Sequence, residues 1–521
     1  MTHPNFPSAE RLNKVRKYIK EKWPELKRDR NHLLSAAKDT KQAHVEGDKW
    51  IVYVSEKEDI DQIRESLAAE IPGDLKQITL QQLPDNTGKV DTHGLLYLPG
   101  DYVVPGGKFN EAYGWDSYFI LRGLLLDNEI ELAKSLTDQL LYQVVHYGAV
   151  LNANRTYFLS RSQPPFLSRM VLEVYERTQD LDWLSASVPV LETYYQYWYI
   201  GEHLHKPSGL SQFYDFGDGP APEVVVSEMD EQGKTHFDRV KEFYRQNEVE
   251  AYDVSLYYDR EKDELMELFY KGDRTMRESG CDPTDRFGPF SVDVLFYLPV
   301  CLNSLLHQME QDIAEIYSNL NSGADRVYGQ DIDQYDEPEM SAEEQIWRER
   351  AQQRKAKVNK YLWDEASGLY FDYHTMTGER RQYEFATTFY PLWTGIASAE
   401  QAKRVVENLS KFEAPGGVRT STHNSGNQWD DPMGWAPLQL MAVEGLMRYG
   451  YEVDAKRLAS RFITMVTEDF ERCGNLVEKY HLENCSSEVF DEIEYGYSSN
   501  EVGFGWTNGV VLAFLELLDE R

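Results

Sequence analysis

Two stretches of the sequence, far apart in the chain, combine carboxylates, tryptophans, glycines and prolines without a helical or strand period. They are PGGKFNEAYGWDSY, residues 105–118, and QWDDPMGWAP, residues 428–437. Proline and glycine make poor helices and poor strands, whereas glycine lets a backbone approach a ligand and tryptophan offers it a flat, rigid face. Both stretches are therefore suited to lining a cavity. The alternative for the first stretch is a glycine-rich turn that Trp115 and Tyr118 anchor to a core.

Together the two stretches resemble the two signature sequences of the trehalase family of glycoside hydrolases. The second matches the family pattern at every defined position. The first matches at all positions but one, because the family has arginine where this chain has Lys108. The resemblance implies an all-α (α/α)6 barrel that hydrolyses an α-glucoside with inversion and releases glucose. Such a reaction uses two carboxyl groups about 6.5–9.5 Å apart, one that protonates the leaving oxygen and one that activates water.

The resemblance also nominates these two carboxyl groups. The family's general acid lies in a segment similar to RESGCDPTDRF, residues 277–287, which implies this role for Asp282. The alternative for an aspartate that precedes a proline is a helix N-cap. The family's base-bearing segment resembles NLVEKY, residues 475–480, and nominates Glu478. The alternative there is an exposed glutamate paired with Lys479, an interaction of little energetic worth.

A set of sugar-binding residues follows from the same resemblance, since polar side chains bind hydroxyl groups and rings stack on sugar faces. The set comprises Lys108, Trp115, Asp116, Asn152, Arg161, Ser162, Gln163, Glu223, Gly280, Trp429, Asp430 and Glu494. Two of these assignments stay open. Glu501 is the alternative to Glu494, because the alignment in that region is loose by a few residues. Asp430 can instead orient the base, brace Trp429 or cap a helix.

Three positions depart from the family pattern. Lys108 and Ala221 stand where the family has arginine, and Cys281 stands where a tryptophan usually precedes the acid. These changes predict a roomier pocket with fewer hydrogen-bond donors. We therefore expect the reaction type to persist and the leaving-group half to differ, so that neutral glucosylglycerol competes with trehalose as the substrate. The alternatives are that neighbouring residues replace the missing side chains and trehalose is cleaved, that the anionic glucosylglycerate is cleaved, or that the chain is a catalytically silent sugar-binding homologue.

Helices must hold these loops in place. From about residue 116 onward, apolar positions recur at spacings of three and four in segment after segment, among them residues 120–145, 290–316 and 506–520. Antiparallel helix pairs joined by long loops suit an α/α toroid with its site at one end. Residues 9–28 predict an amphipathic helix and residues 50–55 a strand. We therefore divide the chain into an accessory segment, residues 1–95, packed on a catalytic barrel, residues 96–521.

Acidic residues outnumber Lys and Arg by 88 to 54, which gives a formal net charge of −34. Such a surface repels phosphate backbones and anionic lipid faces, so we expect neither nucleic-acid nor membrane partners. Residues 1–30 contain no continuous apolar run, and the four cysteines show no CxxC spacing. These features predict a cytoplasmic protein without a disulfide framework.

Metal and nucleotide chemistry have no recognisable motif in the sequence. There is no His/Cys metal spacing and no phosphate-binding glycine loop. We therefore expect no cofactor and no metal, with a small glucoside and water as the partners. The acidic run at residues 323–344 lacks the glycine and glutamate positions of an EF-hand, and it predicts a solvated loop that precedes a helix.

Overall fold

The computed structural model describes residues 6–39, 49–85, 90, 92–225, 233–327, 340–489, 493–496 and 499–519. Helices dominate these ranges. The α-helices found there are α1 (Ala9–Leu26), α2 (Leu33–Ala37), α3 (Ile60–Glu70), α4 (Asp116–Leu126), α5 (Ile130–Tyr147), α6 (Leu167–Thr178), α7 (Leu181–Tyr197), α8 (Pro222–Val225), α9 (His236–Gln246), α10 (Glu267–Glu278), α11 (Val300–Val327), α12 (Ala342–Tyr361), α13 (Tyr390–Trp393), α14 (Ala399–Glu407), α15 (Leu409–Phe412), α16 (Ala436–Arg448), α17 (Glu452–Cys473) and α18 (Gly505–Asp519).

Short strands lie between the helices and pair locally into sheets of two or three strands. In chain order, the strands of the same ranges are β1 (Lys27–Arg28), β2 (Trp50–Val54), β3 (Ile78–Gln82), β4 (Leu95–Leu96), β5 (Tyr102–Val103), β6 (Leu204–His205), β7 (Leu210–Ser211), β8 (Tyr258–Asp259), β9 (Glu264–Leu265), β10 (Tyr297–Leu298), β11 (Trp363–Asp364), β12 (Leu369–Tyr370), β13 (Tyr373–His374), β14 (Glu379–Arg380), β15 (Glu413–Ala414), β16 (Gly417–Val418), β17 (Met433–Trp435) and β18 (Lys479–His481).

Six helices form a closed inner ring in the described part of the chain. In the order α4, α6, α11, α13, α16, α18, each helix contacts the next, and α18 contacts α4. Most residues of α4, α16 and α18 are buried, as expected for helices that are apolar on all sides. The ring is covered from outside by α1, α5, α7, α12, α14 and α17. This arrangement is the (α/α)6 barrel, so the predicted fold class is confirmed.

The N-terminal residues contribute both to the barrel and to a small sheet beside it. Helix α1 packs against α17 and α18, and its apolar side chains belong to the main core. By contrast, β2 pairs in parallel with β3 and β4 around a separate apolar cluster. The helix predicted at residues 9–28 and the strand predicted at residues 50–55 are both present. The division of the chain at residue 95 stays a proposal, because α1 already shares the core of the barrel.

Two predicted helices are interrupted in the structure. The segment 120–145 forms α4 and α5, which Asn128 separates with a left-handed φ of 63°. In the segment 290–316 the α-helix begins only at Val300. In the acidic run, residues 323–327 extend α11 and residues 342–344 begin α12, and the part at residues 328–339 lies outside the described residues. Within the described ranges, no helix has the length and apolar character that a membrane span requires.

Helices α4 and α18 cross at a pair of glycines that close the inner ring. A Cβ atom added to Gly509 would overlap the carbonyl oxygen of Phe119. A Cβ atom added to Gly123 would lie 2.7 Å from Cζ2 of Trp23 and 2.8 Å from Cα of Gly509. No real Cβ makes contacts this short, so the two backbones can approach only because neither position carries a side chain.

We predict that Gly509→Ala destabilises the barrel. The added methyl group meets backbone atoms that cannot rotate away, and overpacking of a core costs about 1–3 kcal/mol. The melting temperature and the denaturant midpoint of the variant should both fall. The matched control is Gly73→Ala, because a Cβ at Gly73 has no neighbour within 4 Å. An unchanged melting temperature for Gly509→Ala would contradict the close crossing of α4 and α18.

Candidate active site

A cavity of about 370 Å³ lies where the inner helices of the barrel begin. Loops that enter α4, α6, α11, α16 and α18 supply its wall. A cavity of this volume is typical of a small-molecule site. The predicted site residues that line it are Lys108, Trp115, Asp116, Asn152, Arg161, Gln163, Glu223, Gly280, Asp282, Trp429 and Glu478.

Asp282 reaches the cavity from the loop that joins α10 to a 3₁₀ turn at Pro289–Phe296, and it is not a helix N-cap. Its side chain is 32% exposed, with Oδ2 at 3.3 Å from Nη1 of Arg277. The carbonyl oxygen of Asp282 accepts a hydrogen bond from the Gln428 side chain, and that of Pro283 accepts one from the amide of Trp429 at 3.1 Å. The backbone is thus anchored while the carboxyl group remains accessible.

Glu478 faces the same cavity from the segment that leads into β18. Its amide donates to the carbonyl oxygen of Glu501 at 2.9 Å, and its own carbonyl oxygen accepts from Nε1 of Trp506 at 2.9 Å. Glu478 is buried, and so is Lys479. The alternative of an exposed surface pair is therefore wrong, and the two predicted catalytic carboxyl groups line one shared cavity.

Lys479 is a buried cation beside Glu478. Its Nζ donates to Oε1 of Gln428 at 2.9 Å and lies 5.4 Å from the ring centroid of Trp435. Burial lowers the pKa of Lys479 to about 8, although the carboxylate of Glu478 acts in the opposite direction. An ammonium in this position partly balances the negative charge of the cavity.

Asp116 adds a third carboxyl group at the first turn of α4. Burial raises the pKa of Asp116 well above its usual value, and the nearby charges of Glu478 and Asp282 raise it further. This shift favours the protonated form, which can donate a hydrogen bond to a sugar hydroxyl. Asp116 is therefore suited to orienting a sugar.

Arg161 and Glu223 form a buried ion pair on the cavity wall. Nη1 of Arg161 also lies 3.4 Å from Oδ2 of Asp215. Burial alone would raise the pKa of Glu223, but the guanidinium groups of Arg161 and Arg277 outweigh it and hold that pKa below its usual value. Glu223 thus stays ionised and can accept hydrogen bonds from a ligand.

The residues around Arg161 hold the first signature in place. Oε1 of Gln163 accepts a hydrogen bond from the amide of Trp115 at 3.0 Å. The amide of Ser162 donates to Oε1 of the buried Glu278 at 2.9 Å. Ser162 therefore supports the wall through its backbone, whereas Gln163 contributes to the wall itself.

Arg277 is a cavity residue that the sequence pattern did not single out. It lies on the last turn of α10, where Nη2 pairs with Oδ1 of Asp273 at 3.2 Å and Nη1 approaches Asp282. The available signal was a cation five residues before the predicted acid. Ala221, where the family has arginine, is buried. The cavity therefore has a second guanidinium, that of Arg277, besides that of Arg161. The prediction of a pocket with few donors did not take Arg277 into account.

Tryptophans build one side of the cavity. Trp429 stacks on Trp435 with ring centroids 3.9 Å apart and planes at 2°, and its centroid lies 5.8 Å from that of Trp115. Gly280, with a left-handed φ of 75°, faces the ring of Trp115, because a Cβ there would lie 3.0 Å from Cε2 of Trp115. A larger residue at position 280 would displace this ring. The other aromatic lining residues absent from the predicted set are Phe109, Tyr113, Phe158, Phe504 and Trp506.

Lys108 joins the first signature to the C-terminal loop. Its Nζ lies 2.9 Å from Oε1 of Glu501 and 3.1 Å from Oγ of Ser499. Ser499 lines the cavity, so Lys108 and this part of the loop form one side of it together. A single ammonium group makes these contacts where the family pattern has a guanidinium.

The structure does not place Asp430 or Glu494 on the cavity wall. Asp430 is fully buried behind the loop of Asp282, where its carboxylate accepts hydrogen bonds from protein groups. The backbone amide of Glu494 donates to the carbonyl oxygen of Gly426 at 2.9 Å, which holds the residue along another loop. Glu501, the alternative to Glu494, faces Lys108. Because Asp430 is buried away from the cavity, it does not contact a sugar directly in this structure.

Among the described residues, no group of three or more His, Cys, Asp or Glu side chains is arranged to hold a metal ion.

Comparison with known proteins agrees with this geometry. The family model described as Trehalase matches residues 3–519. The chain belongs to the trehalase family. It is 36% identical over 484 residues to the cytosolic neutral trehalase of Emericella nidulans, covering 86% of this chain and 61% of that protein. With the cytosolic neutral trehalase of Saccharomyces cerevisiae it shares 35% identity over 506 residues, which covers 88% of this chain and 64% of that protein.

The chain thus spans about three-fifths of the length of these curated relatives. The solved structure of the neutral trehalase Nth1 from Saccharomyces cerevisiae superposes with a TM-score of 0.77 at 32% identity, covering 98% of this chain and 94% of that chain. A mannosylglycerate hydrolase from Thermus thermophilus superposes with a TM-score of 0.51 at 18% identity, over 80% of this chain and 96% of that chain. At that identity the likeness shows the fold alone.

Proposed function

We propose that the chain hydrolyses trehalose to two glucose molecules with inversion at one anomeric carbon. The observation that carries this proposal is the meeting of Asp282 and Glu478, nominated from distant segments, in one cavity with the expected sugar-binding side chains. The names of the relatives, cytosolic neutral trehalases, support the same substrate and a cytosolic location.

The reaction assigns one proton transfer to each carboxyl group. Asp282 in its protonated form donates its proton to the glycosidic oxygen as the bond between that oxygen and the anomeric carbon breaks. Glu478 removes a proton from a water molecule, whose oxygen bonds to the same carbon from the opposite face. The products are two glucose molecules, an ionised Asp282 and a protonated Glu478. Proton exchange with solvent restores the starting state.

The remaining wall residues bind and orient the sugar that reacts. Arg161 and Arg277 lower the pKa of Glu223, which favours its hydrogen-bond-accepting form, whereas burial raises the pKa of Asp116, which favours its donating form. The rings of Trp115 and Trp429 offer flat apolar faces. Groups fixed in this way need no rearrangement when charge develops at the anomeric carbon.

Trehalose is favoured over glucosylglycerol once the structure is considered. The glucosylglycerol hypothesis rested on a roomier and donor-poorer pocket inferred from Lys108, Ala221 and Cys281. Arg277, however, supplies a guanidinium to the cavity. The relatives carry trehalase names, and the likeness to a mannosylglycerate hydrolase is limited to fold. A catalytically silent homologue is not favoured either, because both predicted catalytic carboxyl groups line the cavity.

We predict that trehalose is a better substrate than glucosylglycerol by at least about tenfold in kcat/KM, the discrimination expected when buried polar groups of a site lose their partners. The second glucose of trehalose offers ring hydroxyls to the guanidinium groups. The glycerol of glucosylglycerol has no ring and fewer hydroxyls to offer. The measurement is glucose release from each compound in parallel assays with the same enzyme. A preference for glucosylglycerol would overturn the choice of substrate and leave the reaction type standing.

Asp282→Asn and Glu478→Gln should each lower kcat on trehalose by at least about a hundredfold, the scale of general acid–base catalysis. Each variant keeps the size of the side chain and removes its ability to transfer the proton. Circular dichroism and the melting temperature check that the fold is unchanged. The control is Glu365→Gln, a change in a side chain that is 79% exposed and pairs with Arg404 on the surface. Full activity of Asp282→Asn or Glu478→Gln would remove that residue from the mechanism.

Inversion predicts equal initial amounts of α- and β-glucose from trehalose. Water attacks one anomeric carbon from the β face, whereas the departing glucose keeps its α configuration. Proton NMR of the anomeric region, recorded before mutarotation equilibrates the products, measures the ratio. Initial release of α-glucose alone would show retention and would exclude Glu478 as a base acting through water.

A further inference from the structure

Asp430 is a buried carboxylate with an unusual number of hydrogen-bond donors. Its oxygens accept five hydrogen bonds at 2.6–3.1 Å. The donors are Oγ1 of Thr284, the amide of Asp285, the hydroxyl of Tyr383, Oγ of Ser421 and Oγ of Ser425. Burial raises the pKa of Asp430 to about 7, although several of these hydrogen bonds oppose the shift. The five hydrogen bonds together fix the segments that supply the donors.

Two of these donors belong to the loop that carries Asp282, residues 279–288, here called the acid loop. Consecutive residues of the second signature bind consecutive residues of this loop. The Gln428 side chain donates to the carbonyl oxygen of Asp282, and the Trp429 amide donates to that of Pro283 at 3.1 Å. Asp430 then binds Thr284 and the Asp285 amide at 3.1 and 2.9 Å. Asp430 is the carboxyl group in this set of contacts, and it lies behind Asp282 rather than on the cavity wall.

The acid loop needs such support, because the chain that follows it is strained. Phe290 and Ser291, neither of them glycine, have left-handed φ values of 59° and 52°. Side chains rarely adopt this conformation unless surrounding contacts impose it. From outside the loop, Oγ of Ser291 donates to the carbonyl oxygen of Thr284 at 2.6 Å, so the strained residues and the Asp430 contacts meet at Thr284.

We propose that Asp430 is a positioning residue for the general acid: by binding Thr284 and the Asp285 amide, it sets where the Asp282 carboxyl group stands relative to the glycosidic oxygen. The proposal rests on the proposed function, since it requires Asp282 to donate the proton. It replaces the roles expected from the sequence, namely binding sugar, orienting the base or bracing Trp429. An error of about 1 Å in the placement of a catalytic group can cost about a hundredfold in rate.

A substrate whose leaving group needs no acid distinguishes two effects of a substitution at Asp430. One is misplacement of Asp282, and the other is a loss of activity caused by a disturbed fold. In α-D-glucosyl fluoride the carbon–fluorine bond breaks and fluoride leaves as an anion, while Glu478 still removes the proton from the attacking water. Loss of the acid therefore impairs trehalose hydrolysis far more than fluoride hydrolysis. Asp282→Asn gives the reference pattern for a lost acid, and Glu478→Gln gives the pattern for a lost base, which impairs both reactions.

The test compares kcat and KM of Asp430→Asn on the two substrates. We expect kcat on trehalose to fall by about a hundredfold with little change in KM. On the fluoride we expect kcat to fall by less than about fivefold, so that the variant follows the pattern of Asp282→Asn. Thr284→Val, which removes one donor of the acid loop and keeps the shape of the side chain, should show a smaller change of the same kind. This second variant keeps the test decisive if Asp430→Asn does not fold.

The matched control is Asp312→Asn, the same substitution at another buried aspartate that accepts hydrogen bonds. Asp312, on α11, binds Ser168, Arg169 and Gln308 and does not line the cavity. The Asp312→Asn substitution should lower the melting temperature without changing the ratio of the activities on trehalose and on the fluoride. Equal losses on both substrates for Asp430→Asn and Thr284→Val would overturn the positioning role. A wild-type protein that cleaves the fluoride and not trehalose would instead overturn the proposed function.

Discussion

Like-charge repulsion among the carboxyl groups of one cavity is the constraint on which the site depends. Asp116, Asp282 and Glu478 line the same cavity, and the charges of Glu478 and Asp282 add to the effect of burial, which raises the pKa of Asp116 well above its usual value. The guanidinium of Arg277, 3.3 Å from Asp282, and the buried ammonium of Lys479 beside Glu478 offset this repulsion. An inverting hydrolase needs one protonated and one ionised carboxyl group at the same pH. Unequal surroundings of chemically similar groups are how a protein meets that need.

The barrel makes this gathering possible because the inner helices α4, α6, α11, α16 and α18 are entered from loops around one cavity. Loops that enter different inner helices supply the carboxyl groups and tryptophans, so residues from distant parts of the chain meet without a continuous motif. Closure of the ring at Gly123 and Gly509 brings α4 against α18, which places the first signature beside the segment that carries Glu478. The Gln428 side chain donates to the carbonyl oxygen of Asp282 and accepts from Nζ of Lys479, so it connects the acid loop to β18. One side chain thus contacts both the loop of the acid and the residue next to the base.

Much of this arrangement was predictable from the sequence, and the exceptions have physical causes. Helical periodicity and the two signatures indicated the barrel and most of the cavity wall, because both are local patterns. The break at Asn128 was missed because apolar spacing continues across it, whereas a left-handed residue leaves no mark in that spacing. Arg277 was missed because a cation on a helix usually faces solvent, and only the direction of α10 turns it into the cavity. Asp430 was assigned to the ligand because it belongs to the second signature. Its neighbour Trp429 does line the cavity, but alternate residues of an irregular segment can face opposite sides.

The departures from the family pattern show why single substitutions are weak evidence about a substrate. Position 221 lacks a guanidinium, but the cavity is defined by what reaches it from any element, and Arg277 reaches it from α10. Cys281 is smaller than the tryptophan of the family pattern, yet it is buried in the main core, so its size acts on packing rather than directly on the wall. Lys108 keeps a positive charge that pairs with Glu501 in the C-terminal loop. Because the charge balance of the cavity depends on the sum of these groups, arginines can change position within the wall while the chemistry that the wall supports stays the same.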